Sequence, residues 1–171
     1  MNMSSSKKPN ILRLSRQKAK LIVNQARKLH DTGIRYGVGN ILQPGLVKEI
    51  IIASVLDHDI ITNKRLPDAC SRHDNSKFYE YLTCEEGGTW QIDRMFRALS
   101  KRAKSLQRIS RNEKLYLALF KKNSLELITI FEVECQPALD EANRQLDAST
   151  NDISHVSFNM KWAKDKGKIV Y

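Results

Sequence analysis

Apolar positions along the chain follow two spacings, and the switches between them mark the elements. Ile11, Leu14, Lys18, Leu21, Ile22 and Ala26 recur at helical intervals with basic residues between them, which predicts a basic amphipathic helix ending near Leu29 to Thr32. The following GIRYGVGN, with three glycines in seven residues, reads as a loop or turn. Pro44 and Gly45 then precede LVKEIIIASVLDH, where Leu46, Ile50, Ala53, Val55 and Leu56 predict a strongly apolar helix. Glu49 is its one acid before Asp57. A carboxylate on so apolar a helix has to reach the surface or meet a cation, because an unpaired buried charge is costly.

From Leu66 the period changes. In LPDACSRHDNSKFYEYLTC, apolar and aromatic residues flank the polar turn SRHDNS, and Phe78, Tyr79, Tyr81 and Leu82 favour strands, so a β-hairpin is expected. After the loop EEGG, the segment TWQIDRMFRALSKRAKSLQRISRN places Ile92, Phe96, Leu99, Ala103 and Leu106 at helical intervals, predicting a second basic helix. KLYLALF and LELITIFEVE, joined by KKNS, predict two strands at the centre of a sheet. The tail reads as a helix in PALDEANRQLDA, a polar linker, a short strand in ISHVSFN, and the basic segment KWAKDKGKIVY around Trp162. This order of helices and strands predicts an α/β fold with a mixed central β-sheet flanked by helices. Residues 1–10 read as a flexible basic tail and 11–171 as a single domain.

Charge narrows the partner. Twenty-nine Lys and Arg against nineteen Asp and Glu give +10, which favours a polyanion. The predicted basic helix carries Arg94, Arg97, Lys101, Arg102, Lys104 and Arg108 with no acid between Asp93 and Arg111. A solvated face usually mixes both signs, so Arg94, Lys101, Arg102, Lys104 and Arg108 are read as candidate DNA contacts. Cys70, Cys84 and Cys135 are widely spaced and form no zinc-ligand pattern with the histidines, and their odd number fits a reducing cytoplasm. No stretch is long and apolar enough for a membrane span, and no phosphate-cradling GxxxxGK[ST] is present, so neither a membrane nor a nucleotide cofactor is expected.

The sharpest local chemistry is Pro67-Asp68 followed by Glu80, with eleven residues between the two acids. On neighbouring strands of a hairpin these carboxylates meet on one side of a sheet. Two carboxylates held together repel unless a cation joins them, so a divalent metal is the natural third party. Mg²⁺ binds few protein carboxylates and completes its shell with water and phosphate, and it lowers the pKa of a bound water, which points to hydrolysis. The bland readings are that Asp68 caps a turn, that Glu80 is exposed or pairs with Arg65, and that Glu49 is a solvated helix residue. In Glu85-Glu86-Gly87-Gly88-Thr89-Trp90-Gln91, Gly-Gly permits close backbone approach to phosphate, with Trp90 or Gln91 near DNA; the alternative is a helix start capped by Thr89.

In Pro67, Asp68, Glu80 and Tyr81 the chain resembles the PD-(D/E)XK nuclease superfamily, and among its members the small type II restriction endonucleases. The pattern is a Pro-Asp at a strand start, then an acid, any residue and a lysine on the next strand, preceded by a helix bearing an acid, here Glu49. The resemblance covers roughly residues 40–160. It implies a restriction-endonuclease-like fold and a Mg²⁺-dependent, site-specific deoxyribonuclease acting on double-stranded DNA as a two-fold homodimer. It also implies that Asp68, Glu80 and the Tyr81 carbonyl hold the metal, with Glu49 as an outer acid. The lysine position is occupied by Leu82, so the third catalytic group has to come from elsewhere, with Gln91, Arg94 and Lys101 as candidates. Two other readings stand beside this one: a non-catalytic nucleic-acid-binding protein, and a repair or junction nuclease on the same fold.

Overall fold

A computed structural model describes residues 15–63 and 65–171, and the chain separates into two compact units, one ending at Leu42 and one starting at Gln43. The predicted tail 1–10, with Ile11 and Leu14 of the first helical pattern, lies outside the described residues. In the first unit, α1 (Arg16–Arg35) starts at Ser15, whose side chain accepts from the Lys18 N–H. The helix runs past the predicted end through Gly33. That glycine makes room for the returning chain rather than breaking the helix: a Cβ there would lie 2.9 Å from the Gly39 carbonyl oxygen and 3.0 Å from Ile41 Cβ.

The second unit opens with α2 (Leu46–Leu56), which ends where Asp57 turns left-handed at φ 57°. The next residues form the short strand β1 (His58–Ile60), which the helical reading of LDH missed. The predicted hairpin is present as β2 (Ala69–Ser71) and β3 (Phe78–Glu85), antiparallel with Ala69 opposite Tyr79 and Cys70 opposite Phe78. Its turn is built from local side-chain bonds: Ser71 Oγ accepts from the N–H groups of His73 and Asp74, and Asp74 Oδ1 accepts from Ser76 N–H.

The segment from Trp90 departs from expectation. Instead of entering a helix, Trp90–Phe96 forms β4, antiparallel to β7 (Ile153–Phe158). Trp90 and Ile92 are buried and Gln91 is exposed, the period-two alternation of a strand. A bulge between Ile92 and Met95, with Arg94 at φ 57°, resets the register and mimics helical spacing in the sequence. Helix α3 begins only at Leu99 and runs to Ser110. Leu99 is 81% exposed and the helix buries Ser105 and Ile109, so the apolar stripe read from Ile92 to Leu106 is not its core face.

Then follow β5 (Lys114–Phe120), β6 (Leu127–Glu134), α4 (Cys135–Ala148), α5 (Met160–Lys166) and β8 (Gly167–Ile169). The main sheet has six strands in the order β1-β2-β3-β5-β6-β8, with β3 and β5 parallel and every other neighbouring pair antiparallel. It is a mixed sheet flanked by helices. Alternation along β5 separates two cores: Tyr116, Ala118 and Phe120 pack with Ile52 and Ala53 of α2, while Leu115 and Leu117 pack with Ile109, Ala138, Ala142, Leu146 and Ala163 of α3, α4 and α5. Trp90 lies in the second core and donates its indole N–H to the Ala118 carbonyl at 2.9 Å. Among the described residues no helix is long and apolar enough to cross a membrane.

The junction of α5 and β8 is tight enough to test. At Gly167 the backbone is ordinary, at φ −108°, yet a Cβ would lie 2.7 Å from the Ala163 carbonyl oxygen and 3.1 Å from Phe131 Cβ. Gly167→Ala is therefore expected to destabilise the fold by about 1–3 kcal/mol through overpacking. A lowered denaturation midpoint with an unchanged slope is the expected result.

Candidate functional site

The acid pair is placed by a break in a β-ladder. Pro67 has no N–H to donate, and the β2/β3 pairing ends at Ala69 opposite Tyr79. Asp68 fills the gap. Its N–H donates to the Tyr79 carbonyl at 3.1 Å, and its Oδ2 accepts the Tyr81 N–H at 2.9 Å. In a strand the N–H and C=O of one residue point the same way, so the Tyr81 carbonyl is directed to this same edge.

Glu80 sits between Tyr79 and Tyr81 on β3, with its side chain on the opposite face from theirs. It is 7% exposed. Its Oε2 is buried without a hydrogen-bond partner; the nearest cation is Arg111, with Nη2 at 3.5 Å, a contact too long for a well-formed hydrogen bond. Burial pushes the Glu80 carboxyl up to about 7, and the neighbouring Asp68 charge pushes the same way, while Arg108 and Arg111 pull against both. The two arginines are fixed by other bonds: Arg108 Nη1 donates to the Asp93 carbonyl at 2.6 Å and Arg111 Nη1 to the Arg65 carbonyl at 3.0 Å. Arg108 stood among the sequence candidates as a DNA contact; Arg111, at the C-cap of α3, did not. The cation beside Glu80 is therefore Arg111, where the sequence reading offered Arg65.

The remaining candidates lie elsewhere. Leu82 is 6% exposed and belongs to the α3–α4 core beside Cys84. Glu49 lies in the buried stripe Leu46, Glu49, Ile52 and Ala53 of α2, so it is buried rather than solvated. Gln91 is on β4 opposite Ser157, its Nε2 donating to Thr89 Oγ1 at 3.2 Å, and Trp90 is fully buried. Arg102 is held by Asp147 at 2.6 Å and by the Arg97 carbonyl, packing α3 on α4 rather than facing solvent. Arg94, Lys101 and Lys104 are exposed, Lys101 lying over the Phe96 ring.

Behind the acid pair lies a cluster that spacing alone did not reveal. On the α2 face His58 stacks on Tyr79 with ring centroids 4.1 Å apart, and its Nδ1 is 2.8 Å from Tyr81 Oη. Tyr116 donates to Glu132 Oε2 at 3.1 Å. Burial pulls the His58 ring below its usual range. The cluster buttresses the strand that carries Glu80.

Among the described residues no three His, Cys, Asp or Glu side chains converge as a metal-ligand group. What the structure brings near one another is the oxygens of two carboxylates, Asp68 and Glu80, of which Glu80 Oε2 is buried and unbonded. All are hard oxygen donors, the type Mg²⁺ takes in small number while keeping its waters. The sequence matches no family model and no curated protein.

The Glu80 environment makes stability depend on pH. A carboxyl raised from 4.5 to about 7 is held protonated by the fold, so its stabilisation is full below pH 4.5 and lost as pH rises through 7. Thermal unfolding is expected to show wild type losing on the order of 3 kcal/mol from this group relative to Glu80→Gln across that window. Parallel pH curves for the two proteins would overturn the assignment.

Proposed function

We propose that the chain is a Mg²⁺-dependent endonuclease hydrolysing phosphodiester bonds of double-stranded DNA, of restriction-endonuclease type in fold and activity. The observation that carries this reading is the buried, unbonded Glu80 Oε2 beside Asp68. A fold pays for such an oxygen only where a partner completes it, and a divalent cation does so while neutralising both acids. The resemblance in Pro67, Asp68, Glu80 and Tyr81 is supported by their setting: an acid-bearing helix before them, Asp68 at the start of one strand, Glu80 on the next.

In this reading Asp68, Glu80 and the Tyr81 carbonyl would hold the metal, whose chemistry when bound would be to acidify a water and shield the phosphoryl oxygens. The chain's own groups supply the rest. Leu82 carries no charge, and Arg111 takes over the role of a cation at the reacting phosphate, with Arg108 beside it. Arg111 is about a third exposed while Glu80 is enclosed, so the guanidinium can meet a phosphate without leaving its anchor on the Arg65 carbonyl. Arg94, Lys101 and Lys104 are exposed for contact with the DNA backbone. Cutting both strands calls for two such sites, hence a two-fold homodimer.

A second reading, a non-catalytic nucleic-acid-binding protein, draws on the burial of Leu82 in the core. Plasmid DNA separates the two. With Mg²⁺, wild type is expected to give discrete fragments, lost on chelation. Asp68→Asn and Glu80→Gln lower the rate roughly 100-fold or more, and Arg111→Ala by a comparable factor through loss of a charge-stabilising donor. Arg111→Lys keeps part of the activity as a point charge. Binding without cleavage in wild type and all four variants supports the second reading, and cleavage confined to branched DNA supports a junction nuclease.

A further inference from the structure

A second feature lies on α4, β7 and α5. Trp162 forms the wall of a surface hollow of about 760 Å³ and also of a smaller one of about 330 Å³. The ring is held from behind by Phe158, itself 1% exposed, with centroids 4.5 Å apart. The floor is rigid: Gln145 on α4 donates to the Ser157 carbonyl at 2.7 Å and accepts from the Ser157 N–H at 2.9 Å, clamping helix to strand.

Charge in the larger hollow is unevenly spent. Glu141 is bound by Arg144 at 2.6 and 2.8 Å and by Gln145 at 2.6 Å, and Asp165 lies 3.0 Å from Lys166. Each acid is therefore neutralised locally. Lys161 and Lys164, exposed and three apart on α5, make no ion pair with a described residue. What remains is a braced indole flanked by two free cations.

We propose that this surface binds a single-stranded nucleic acid, with a base stacked on Trp162 and the adjoining phosphates on Lys161 and Lys164. Stacking accepts any base because every base has a π-face, and the lysines follow the backbone charge. A free mononucleotide fits less well: the rim residues Asn159, Lys161, Lys164 and Asp165 are all exposed, whereas small-ligand sites enclose most of their ligand. A strand passing over the indole uses both hollows. This site is separate from Asp68 and Glu80 and does not depend on the reading given to them.

Trp162 reports on its own occupancy. The only other tryptophan, Trp90, is 0% exposed, so a ligand-induced change in intrinsic fluorescence belongs to Trp162. Titration of the full chain with a short oligothymidylate is expected to quench this emission saturably, and to do so less well as salt rises. The surface pair Lys161→Ala/Lys164→Ala, which leaves the packing intact, should lower the salt slope by roughly 1.4, about 0.7 per lysine. Trp162→Ala should weaken binding, followed by anisotropy of labelled oligonucleotide, by roughly tenfold. Absence of quenching overturns the proposal, as does equal quenching by thymidine monophosphate or by a polyglutamate peptide. An unchanged salt slope in the lysine pair does so as well.

Discussion

The parallel pairing of β3 with β5 is the constraint from which the acid centre follows. Parallel neighbours cannot be joined by a tight turn, so the chain between Glu85 and Lys114 has to travel back along the sheet before β5 begins. It does so as β4 and α3. Since β5 starts with Lys114 opposite Tyr79, the last turn of α3 arrives at the beginning of β3, where the Glu113 N–H donates to the Phe78 carbonyl at 2.8 Å. Arg108 and Arg111 are thereby carried to Glu80. They follow Glu80 by 28 and 31 positions in the sequence, and one strand pairing brings them together.

That delivery matters because Glu80 is otherwise in a poor place for a charge. Burial raises its proton affinity, the neighbouring Asp68 raises it further, and neither arginine closes a short hydrogen bond on its free oxygen. The arginines are instead anchored on main-chain carbonyls of Asp93 and Arg65, which fixes their charge near the acids without consuming it. A carboxylate oxygen left without a hydrogen bond, as Glu80 Oε2 is, can take up an added cation; one in a saturated ion pair cannot. Asp68 has a double duty in the same geometry. As the acceptor for the Tyr81 N–H it replaces the ladder bond lost after Pro67, so its carboxylate is positioned by the need to satisfy a buried backbone donor.

The parts legible from sequence are those where one period holds for a whole element. The hairpin around SRHDNS, the two strands in KLYLALF and LELITIFEVE, and the helix in PALDEANRQLDA each keep their spacing, and each is found. The misread stretch is TWQIDRMF, because a single bulged residue at Arg94 shifts Met95 and Phe96 by one position and turns alternation into an apparent helical repeat. β1 and β8 span three residues each, too short to show a period. Asp68 and Glu80 were legible as a pair because hairpin geometry is local. Arg111 was not, since its proximity to Glu80 is set by the crossover, and nothing in its own neighbourhood distinguishes it from Arg108 or Lys104.

Net charge overstates what the surface can offer a polyanion, and α3 shows why. Its arginines are largely turned inward: Arg102 to Asp147 and a carbonyl, Arg108 to the Asp93 carbonyl, and Arg111 at its end to the Arg65 carbonyl and Glu80. The planar guanidinium, with several fixed donors, suits such bonds, and an ammonium on a flexible stem suits water. Lys101 and Lys104 accordingly stay exposed on the same helix, as Lys161 and Lys164 do on α5. On α3 arginine serves internal geometry and lysine carries the external field. The outward field of this helix is therefore largely that of its lysines, and any preference of a polyanion for one place on the surface has to come from neighbours that are not charged, such as the braced ring of Trp162.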